Sequence, residues 1–338
     1  MRRNLPVSPH RGVGVADPDP RVRASAAAPF PLKILSEGGR VGWGILGAAW
    51  IAGRAVLPAI RASRNGTLVA IAARDRERAE KFATEHGIDH VAAGYEAVLS
   101  DPHVDAVYIP LVNNLHLEWT LRAFEAGKHV LCEKPLGMNA FEAEQMAAAA
   151  KSSGLLLMEA FMYRFHPRAR AFVESLRGEE VLHVEATFGF PLDDPANYRL
   201  RRELGGGALL DVGCYTVNVA RWILGEPDEV FARSRSRTEG GVDMSTSALL
   251  RFPGDATASV WCSFESAEEQ RVIAITKSRT LVLERPFSSW RDPDDPYQLM
   301  VESFADSVLA GAPVELSLSD TIANMRVLDR IAESSGSG

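Results

Sequence analysis

From Val41 onward, short apolar runs alternate with stretches in which apolar residues recur every three to four positions. Runs such as VGWGIL, TLVAIAAR, VDAVYIP and LLLMEA are apolar at consecutive positions, the pattern of strands buried on both faces. Between them, AWIAGRAVLPAIRAS, DRERAEKFATEHG, NNLHLEWTLRAFEAG and NAFEAEQMAAAAKSSG carry helical periodicity. An asparagine cap and Gly127 mark the expected start and stop of the third helix. Strands alternating with helices predict a doubly wound parallel sheet, an α/β unit over residues 41–160.

After about residue 180 the period changes from consecutive to alternating. In VLHVEATF, Leu182, Val184, Ala186 and Phe188 share one face, and in ATASVWCSF Ala258, Val260, Cys262 and Phe264 do the same. Strands with one polar face predict an open-faced, mainly antiparallel sheet. Helical segments GGALLDVGCYTVNVARWILG, YQLMVESFADSVLAG and SDTIANMRVLDRIAE are interleaved with them, so residues 161–334 read as an α+β domain. An exposed sheet face of this kind is a candidate interface between copies of the chain.

Residues 1–40 are rich in Pro, Arg and Ala without a sustained period, and are expected to form a disordered tail. The Arg2-Arg3 pair lacks the apolar stretch that an export signal carries behind it. Residues 335–338 are expected to be a flexible end. The chain is 46% hydrophobic with a net charge of -7, which argues against nucleic acid as a partner. No apolar run is long enough to span a bilayer. Cys132, Cys214 and Cys262 are scattered in apolar contexts, which fits a reducing cytoplasm and neither disulfides nor zinc. No His, Cys and carboxylate spacing suits a metal.

Three stretches carry chemistry. GILGAAWIA places Gly47, Ala49 and Ala52 at the positions of a G-x-G-x-x-G turn, at the first strand-to-helix junction of the sheet. Alanine adds one methyl at the latter two, so a pyrophosphate still fits on the helix N-terminus beside Gly47, Ala48, Ala49, Trp50 and Ile51. The second strand ends on Arg74 rather than an acid, with Asp75 and Arg78 following. Arginine there pairs with a 2′-phosphate, which favours NADP(H) and leaves NAD(H) open; a solvated helix-start charge is the plain alternative.

In LCEKPLG a strand, expected to be the fifth parallel one, ends on Glu133 and Lys134 at the carboxyl edge, where open α/β sheets bind ligands. A lysine there can stabilise alkoxide-like charge on a substrate oxygen, and Pro135 holds it extended. Asp211 and Tyr215, four apart on the helix after Gly205-Gly206-Gly207, share a face and are candidate partners. A cation near Tyr215 would pull its pKa down from ~10 and fit it for proton transfer. A snorkelling lysine, a capping aspartate and a tyrosine at the edge of the core are the structural alternatives.

Taken together, GILGAAWIA, VDAVYIPLVNNLHLEWTLRAFEAGKHVLCEKPL, MEAFMYRFHP and GGGALLDVGCYTVNVARWILGEP resemble the glucose–fructose oxidoreductase/inositol dehydrogenase (Gfo/Idh/MocA) family. The likeness runs from about residue 41 to the end. It implies a Rossmann dinucleotide-binding domain followed by the open-sheet domain, with association through that sheet as a homodimer or homotetramer. It also implies Lys134 as the catalytic lysine, Asp211 as the residue orienting substrate and Tyr215 as the proton donor or acceptor. Pro110, Leu111, Asn113, His116, Glu133 and Lys134 itself would line the cofactor cleft. Tyrosine where many members have histidine resembles the branch with NADP-dependent D-xylose dehydrogenase, dihydrodiol dehydrogenase and sugar 3-ketoreductases. MEAFMYRFHP implies that Tyr163 and Arg164 reach the cleft.

The loop FPLDDPANYRLRRE, just before the glycines, makes Tyr198 and Arg199 candidate sugar contacts. The expectation is hydride transfer to or from a sugar, ketosugar or polyol carbon. Two alternatives stay open: a sugar-sensing regulatory protein that binds dinucleotide without turnover, and a member that retains NAD and cleaves glycosides.

Overall fold

The computed structural model describes residues 39–288 and 293–336. The expected tail lies outside the described residues apart from Gly39 and Arg40, as do Ser337 and Gly338 at the other end. The first sheet is built from β1 (Val41–Leu46), β2 (Gly66–Ala72), β3 (Ala106–Ile109), β4 (His129–Cys132) and β5 (Leu157–Glu159), all parallel, in the order β2-β1-β3-β4-β5. Every residue of β1 and β3 is buried, which is why their sequences run apolar without alternation. Helices α1 (Leu57–Ala62), α2 (Arg76–His86), α3 (Tyr95–Ser100), α4 (His116–Glu125) and α5 (Ala140–Ser153) make the crossovers.

Val91 makes only an isolated parallel bridge to Ile71. The segment after β2 therefore adds no strand, and β4, expected fifth, is the fourth strand both along the chain and across the sheet. Helix α4 begins at His116 with Leu115 at its cap, without a side-chain capping bond. The asparagine expected as its cap is used elsewhere, because Asn113 reaches across to a glycine of the second unit.

Helix α6 (Pro167–Glu174) leads into a six-stranded sheet of β6 (Val181–Gly189), β7 (Glu229–Ser236), β8 (Asp243–Arg251), β9 (Thr257–Ser263), β10 (Glu269–Thr276) and β11 (Thr280–Glu284). Its order is β11-β10-β6-β9-β8-β7, and every pair is antiparallel except β6 with β9. Val184, Ala186, Leu250, Ala258, Val260, Cys262, Val272 and Ala274 are buried under α7 (Cys214–Leu224) and α9 (Leu318–Ser335). The cross-strand register puts Phe231, Leu249, Ser259, Glu185, Ile273 and Val282 in one row on the opposite face. Of these, Phe231, Leu249 and Val282 are exposed. The period-two pattern thus reports one covered and one open face.

Helix α8 (Pro296–Ala310) lies against α1 and the first sheet, although its position along the chain groups it with the second. Phe304 meets Trp43 of β1 with ring centroids 5.5 Å apart, and both are fully buried. Asn65 Nδ2 donates to the Glu302 carbonyl at 2.9 Å. Helix α9 continues through Ser335, where a flexible end is expected from composition; Gly336 closes it with φ 71°. Among the described residues no helix is long and apolar enough to cross a membrane.

Candidate active site

The carboxyl ends of β1, β2, β3 and β4 open toward the start of α7, and the residues singled out in the sequence converge there. β1 turns at Gly47, whose φ of 128° is open to glycine and closed to other residues. Its N–H donates to the Ala72 carbonyl of β2 at 2.8 Å, and an added Cβ would stand 3.0 Å from Leu111 Cδ2. Ala48 is buried, Ala49 and Ile51 are half-buried, and Trp50 is 72% exposed at the helix start. The helix then makes a π turn over Ala52–Val56 before α1. Gly53 lies within this turn, and a Cβ there would be 2.3 Å from His86 Nε2, so a glycine just past the fingerprint lets α2 pack against it.

At the end of β2, Asp75 caps α2 by accepting the Arg78 N–H at 3.1 Å. Arg78 reaches back and donates through Nη2 to the Ala48 carbonyl at 2.9 Å, tying this helix to the glycine turn. Arg74 is exposed and makes no ion pair among the described residues, so its guanidinium is available to a phosphate. Glycine turn, helix start and uncommitted arginine therefore fit a dinucleotide bearing a 2′-phosphate.

Lys134 leaves the end of β4, where the Lys134–Pro135 peptide is cis. Its Nζ donates to Asp211 Oδ1 at 3.0 Å and to the Asp211 carbonyl at 2.8 Å. It also sits 5.2 Å from the centroid of the Tyr215 ring. Arg199 donates from Nε to the other carboxylate oxygen of Asp211 at 2.7 Å and stacks on Tyr198 at 4.7 Å. Burial pushes the Asp211 carboxyl up, but Arg199 and Lys134 outweigh it and hold the group well below the usual carboxylate range. Burial pushes Lys134 down, but Asp211 together with Cys214, Glu133 and Tyr198 more than reverses this, so the ammonium stays charged.

Asp211 lies in a second π turn, Leu209–Gly213, that runs into α7. Such turns recur at functional sites because they shift which side chains share a face. Gly213 lies close to β9; a Cβ there would be 3.0 Å from Cys262 Sγ. Asp243 fixes the start of the turn, accepting the Leu209 N–H at 2.8 Å. Tyr215 packs against Phe161, Phe188 and Phe287, and its hydroxyl reaches Met162 Sδ at 4.0 Å. Its pKa is raised well above the phenol value, chiefly by burial, with Tyr297 and Glu133 adding to it. The expected lowering by the lysine is absent because Asp211 already balances Lys134 and the phenol is desolvated.

Behind Lys134, Glu133 is buried and accepts the Tyr108 hydroxyl at 2.6 Å; burial raises its pKa. His116 is fully buried, with Nδ1 2.9 Å from the Pro135 carbonyl and Nε2 3.0 Å from the Leu111 carbonyl. It joins two loops of the cleft instead of lining it. Asn113 Nδ2 donates to the Gly205 carbonyl at 2.7 Å. Gly205 has φ 80°, and a Cβ on it would stand 2.5 Å from Asn113 Cβ, so the contact between the two units requires glycine.

Tyr163 and Arg164 do not line this cleft. Tyr163 is 1% exposed and spends its hydroxyl on Asn218 Oδ1. Arg164 stacks on Trp222 at 4.0 Å and pairs with Asp320 at 3.4 Å, a position that the sequence around it does not distinguish from a pocket. His166 caps α6 by accepting the Arg168 N–H at 3.0 Å. Asp243, Gly53 and Glu159 escape a sequence reading, since each acts on a segment distant along the chain. Among the described residues there is no group of His, Cys, Asp and Glu that could hold a metal.

Residues 41–161 match the family model described as oxidoreductase family, NAD-binding Rossmann fold, and residues 166–282 match the GFO/IDH/MocA C-terminal domain. The chain is 38% identical over 318 residues to D-xylose 1-dehydrogenase (NADP(+)) 2 of Haloferax volcanii, covering 88% of this chain and 98% of that one. It is 39% identical over 231 residues to trans-1,2-dihydrobenzene-1,2-diol dehydrogenase of Mus musculus, covering 66% and 68%. Its fold is similar to a 3-ketoreductase from Actinomadura kijaniata solved with NADP and TDP-benzene, with a TM-score of 0.79, 30% identity, and coverage of 87% and 98%. These are relatives of the branch that the tyrosine at position 215 resembles. The chain belongs to the GFO/IDH/MocA oxidoreductase family.

Proposed function

We propose that the protein is an NADP-dependent oxidoreductase that moves hydride to or from a sugar, ketosugar or polyol carbon. The observation that carries this is the meeting of Lys134, Asp211 and Tyr215 at the sheet edge that also bears Gly47 and Arg74. Arg74 would hold the 2′-phosphate, and the turn from Gly47 to Ile51 the pyrophosphate, at a helix N-terminus. The bound nicotinamide supplies the hydride.

The chain's own residues handle the oxygen and its proton. In reduction, Lys134 donates a hydrogen bond to the substrate carbonyl and stabilises the negative charge that grows on its oxygen. Tyr215, neutral because its pKa is raised, donates its hydroxyl proton to that oxygen and takes a proton back from solvent water once product leaves. Asp211 keeps Lys134 charged and aimed, and Arg199 keeps Asp211 ionised and holds its second oxygen away from the substrate. The relatives named above are a D-xylose dehydrogenase, a diol dehydrogenase and a 3-ketoreductase, which supports this substrate class.

The open face of the second sheet, with Phe231, Leu249 and Val282 exposed, is proposed to pair with a second copy of the chain. The test of the activity is a panel of aldoses, ketosugars and vicinal diols with NADP(H) and NAD(H), followed by absorbance of the reduced nicotinamide. Turnover with NADP(H) is expected; no turnover with either cofactor would overturn the reading.

A further inference from the structure

Glu159 ends β5 directly behind the Lys134 turn and is 1% exposed. Its Oε1 accepts the Leu136 N–H at 2.9 Å, while Oε2 is buried without a hydrogen-bond partner among the described residues. From another side, His116 holds the Pro135 carbonyl. The two residues that follow Lys134 are thus each held by one buried titratable side chain, neither of which the chemistry above uses. Asp211 and the Tyr215 ring meet the Lys134 ammonium itself, while these two anchors fix the backbone from which it is aimed.

We propose that Glu159 is a positioning residue for Lys134, fixing the Leu136 amide and through it the path by which the lysine enters the cleft. The inference rests on the oxidoreductase reading. A neutral acid suits the place, since the carboxyl is buried and its donors, the Thr321 hydroxyl and the Leu136 amide, do not offset its desolvation. Burial pushes Glu159 up to about 8, Asp320 adds to this, and Thr321, the Leu136 amide and Lys134 oppose it. The groups facing it are Asp320 and Thr321 from α9, Cys214 from α7, Cys132 from β4 and Lys134 from the turn. While Glu159 is protonated, Asp211 is the anion that balances Lys134. Ionisation adds a second negative charge and weakens what Lys134 offers the substrate oxygen.

The test compares wild type, Glu159→Gln and Glu159→Leu. Glutamine keeps an oxygen for the Leu136 amide and cannot ionise; leucine removes the acceptor. With NADPH and the carbonyl substrate found by the panel, wild-type kcat is expected to fall several-fold as pH rises through about 8. Glu159→Gln should stay within about three-fold of wild type at pH 7 and lose that inflection, which also separates Glu159 from Glu133. Glu159→Leu should lose roughly ten-fold or more in kcat, with NADPH affinity by fluorescence quenching changed less than about two-fold.

A readout without substrate is the rate at which Lys134 is reductively methylated by formaldehyde and borohydride, followed by mass spectrometry. It should rise in the leucine variant and not in the glutamine variant. An inflection that survives in Glu159→Gln, or wild-type kcat and labelling in Glu159→Leu, would overturn the proposal. If leucine prevents folding, the glutamine pH profile decides. If wild type turns nothing over, the activity reading fails and labelling of Lys134 still decides the positioning, with equal rates in all three proteins counting against it.

Discussion

Lys134 Nζ lies 3.0 Å from Asp211 Oδ1, across the gap between the two sheets, and both side chains are nearly buried. Their pairing settles the charge of the site, and removing either member has a separable consequence. Lys134→Met removes the donor to the substrate oxygen and is expected to lower kcat by roughly 10²–10³-fold with little change in NADPH affinity. Asp211→Asn keeps the shape but leaves Lys134 and Arg199 without their shared counter-ion. It should cost on the order of 3 kcal/mol of stability as well as activity, because buried charges lose their partner. Thermal unfolding alongside steady-state kinetics separates the two; a wild-type melting temperature for Asp211→Asn would show that the pair is not stabilising.

Tyr215 carries its proton throughout the working range, since burial holds its pKa above the phenol value. Any alkaline loss of activity below pH 10 must then come from another group. Tyr215→Phe keeps the aromatic packing and is expected to lower kcat by roughly 10²–10⁴-fold while leaving cofactor affinity unchanged. An activity profile in which Tyr215→Phe retains most of its kcat would move the proton donor elsewhere.

Arg74 and Arg78 sit four residues apart and have different duties. Arg74 is exposed and forms no ion pair among the described residues, whereas Arg78 supports the turn through the Ala48 carbonyl. Arg74→Ala should raise the dissociation constant for NADPH by about ten-fold or more and leave NADH unchanged, as expected for the loss of a phosphate contact. Arg78→Ala should weaken both cofactors alike. Titration of each variant with both reduced cofactors reads this directly, and an Arg74→Ala protein that still prefers NADPH would refute the assignment.

The parallel strands and the half-open sheet were legible because burial on two faces or on one leaves a different period in the chain. Lys134 and Asp211 were legible because charge at a strand end and beside a glycine run is costly without a use. Tyr163 and Arg164 resembled a pocket segment, but aromatic and arginine residues serve equally in packing, and Asn218 and Trp222, which engage them, lie more than fifty residues away. Helix α8 has no local signature for its seat on the first sheet. Glu159 reads as an ordinary strand end, since its partner Leu136 is brought to it only by the fold.

Phe231 and Leu249 face each other across β7 and β8 on the open face and are 58% and 45% exposed. If that face joins two copies, a charge in its apolar row should be tolerated by the fold and not by the assembly. Phe231→Glu is expected to leave the melting curve of a dilute sample close to wild type and to halve the mass measured by light scattering. A wild-type mass for Phe231→Glu combined with Leu249→Glu would place any association elsewhere.

Glu159 also gives the stability of the protein a pH dependence with a definite sign. In the folded chain it ionises near 8, whereas an unfolded glutamate does so near ~4.3. Between these values the unfolded state binds fewer protons at this position, so its contribution to stability falls as pH rises and is complete only below ~4.3. This is opposite to Asp211, whose depressed pKa adds stability above the ordinary aspartate value, which is lost as pH falls through the folded one. Glu159→Gln has no proton to lose. Its stability relative to wild type should therefore rise from pH 5 to pH 8, by an amount on the order of a few kcal/mol. Urea unfolding of the two proteins at several pH values measures that difference. A difference that stays constant across the window would mean that Glu159 ionises normally in the folded protein, through a donor to Oε2.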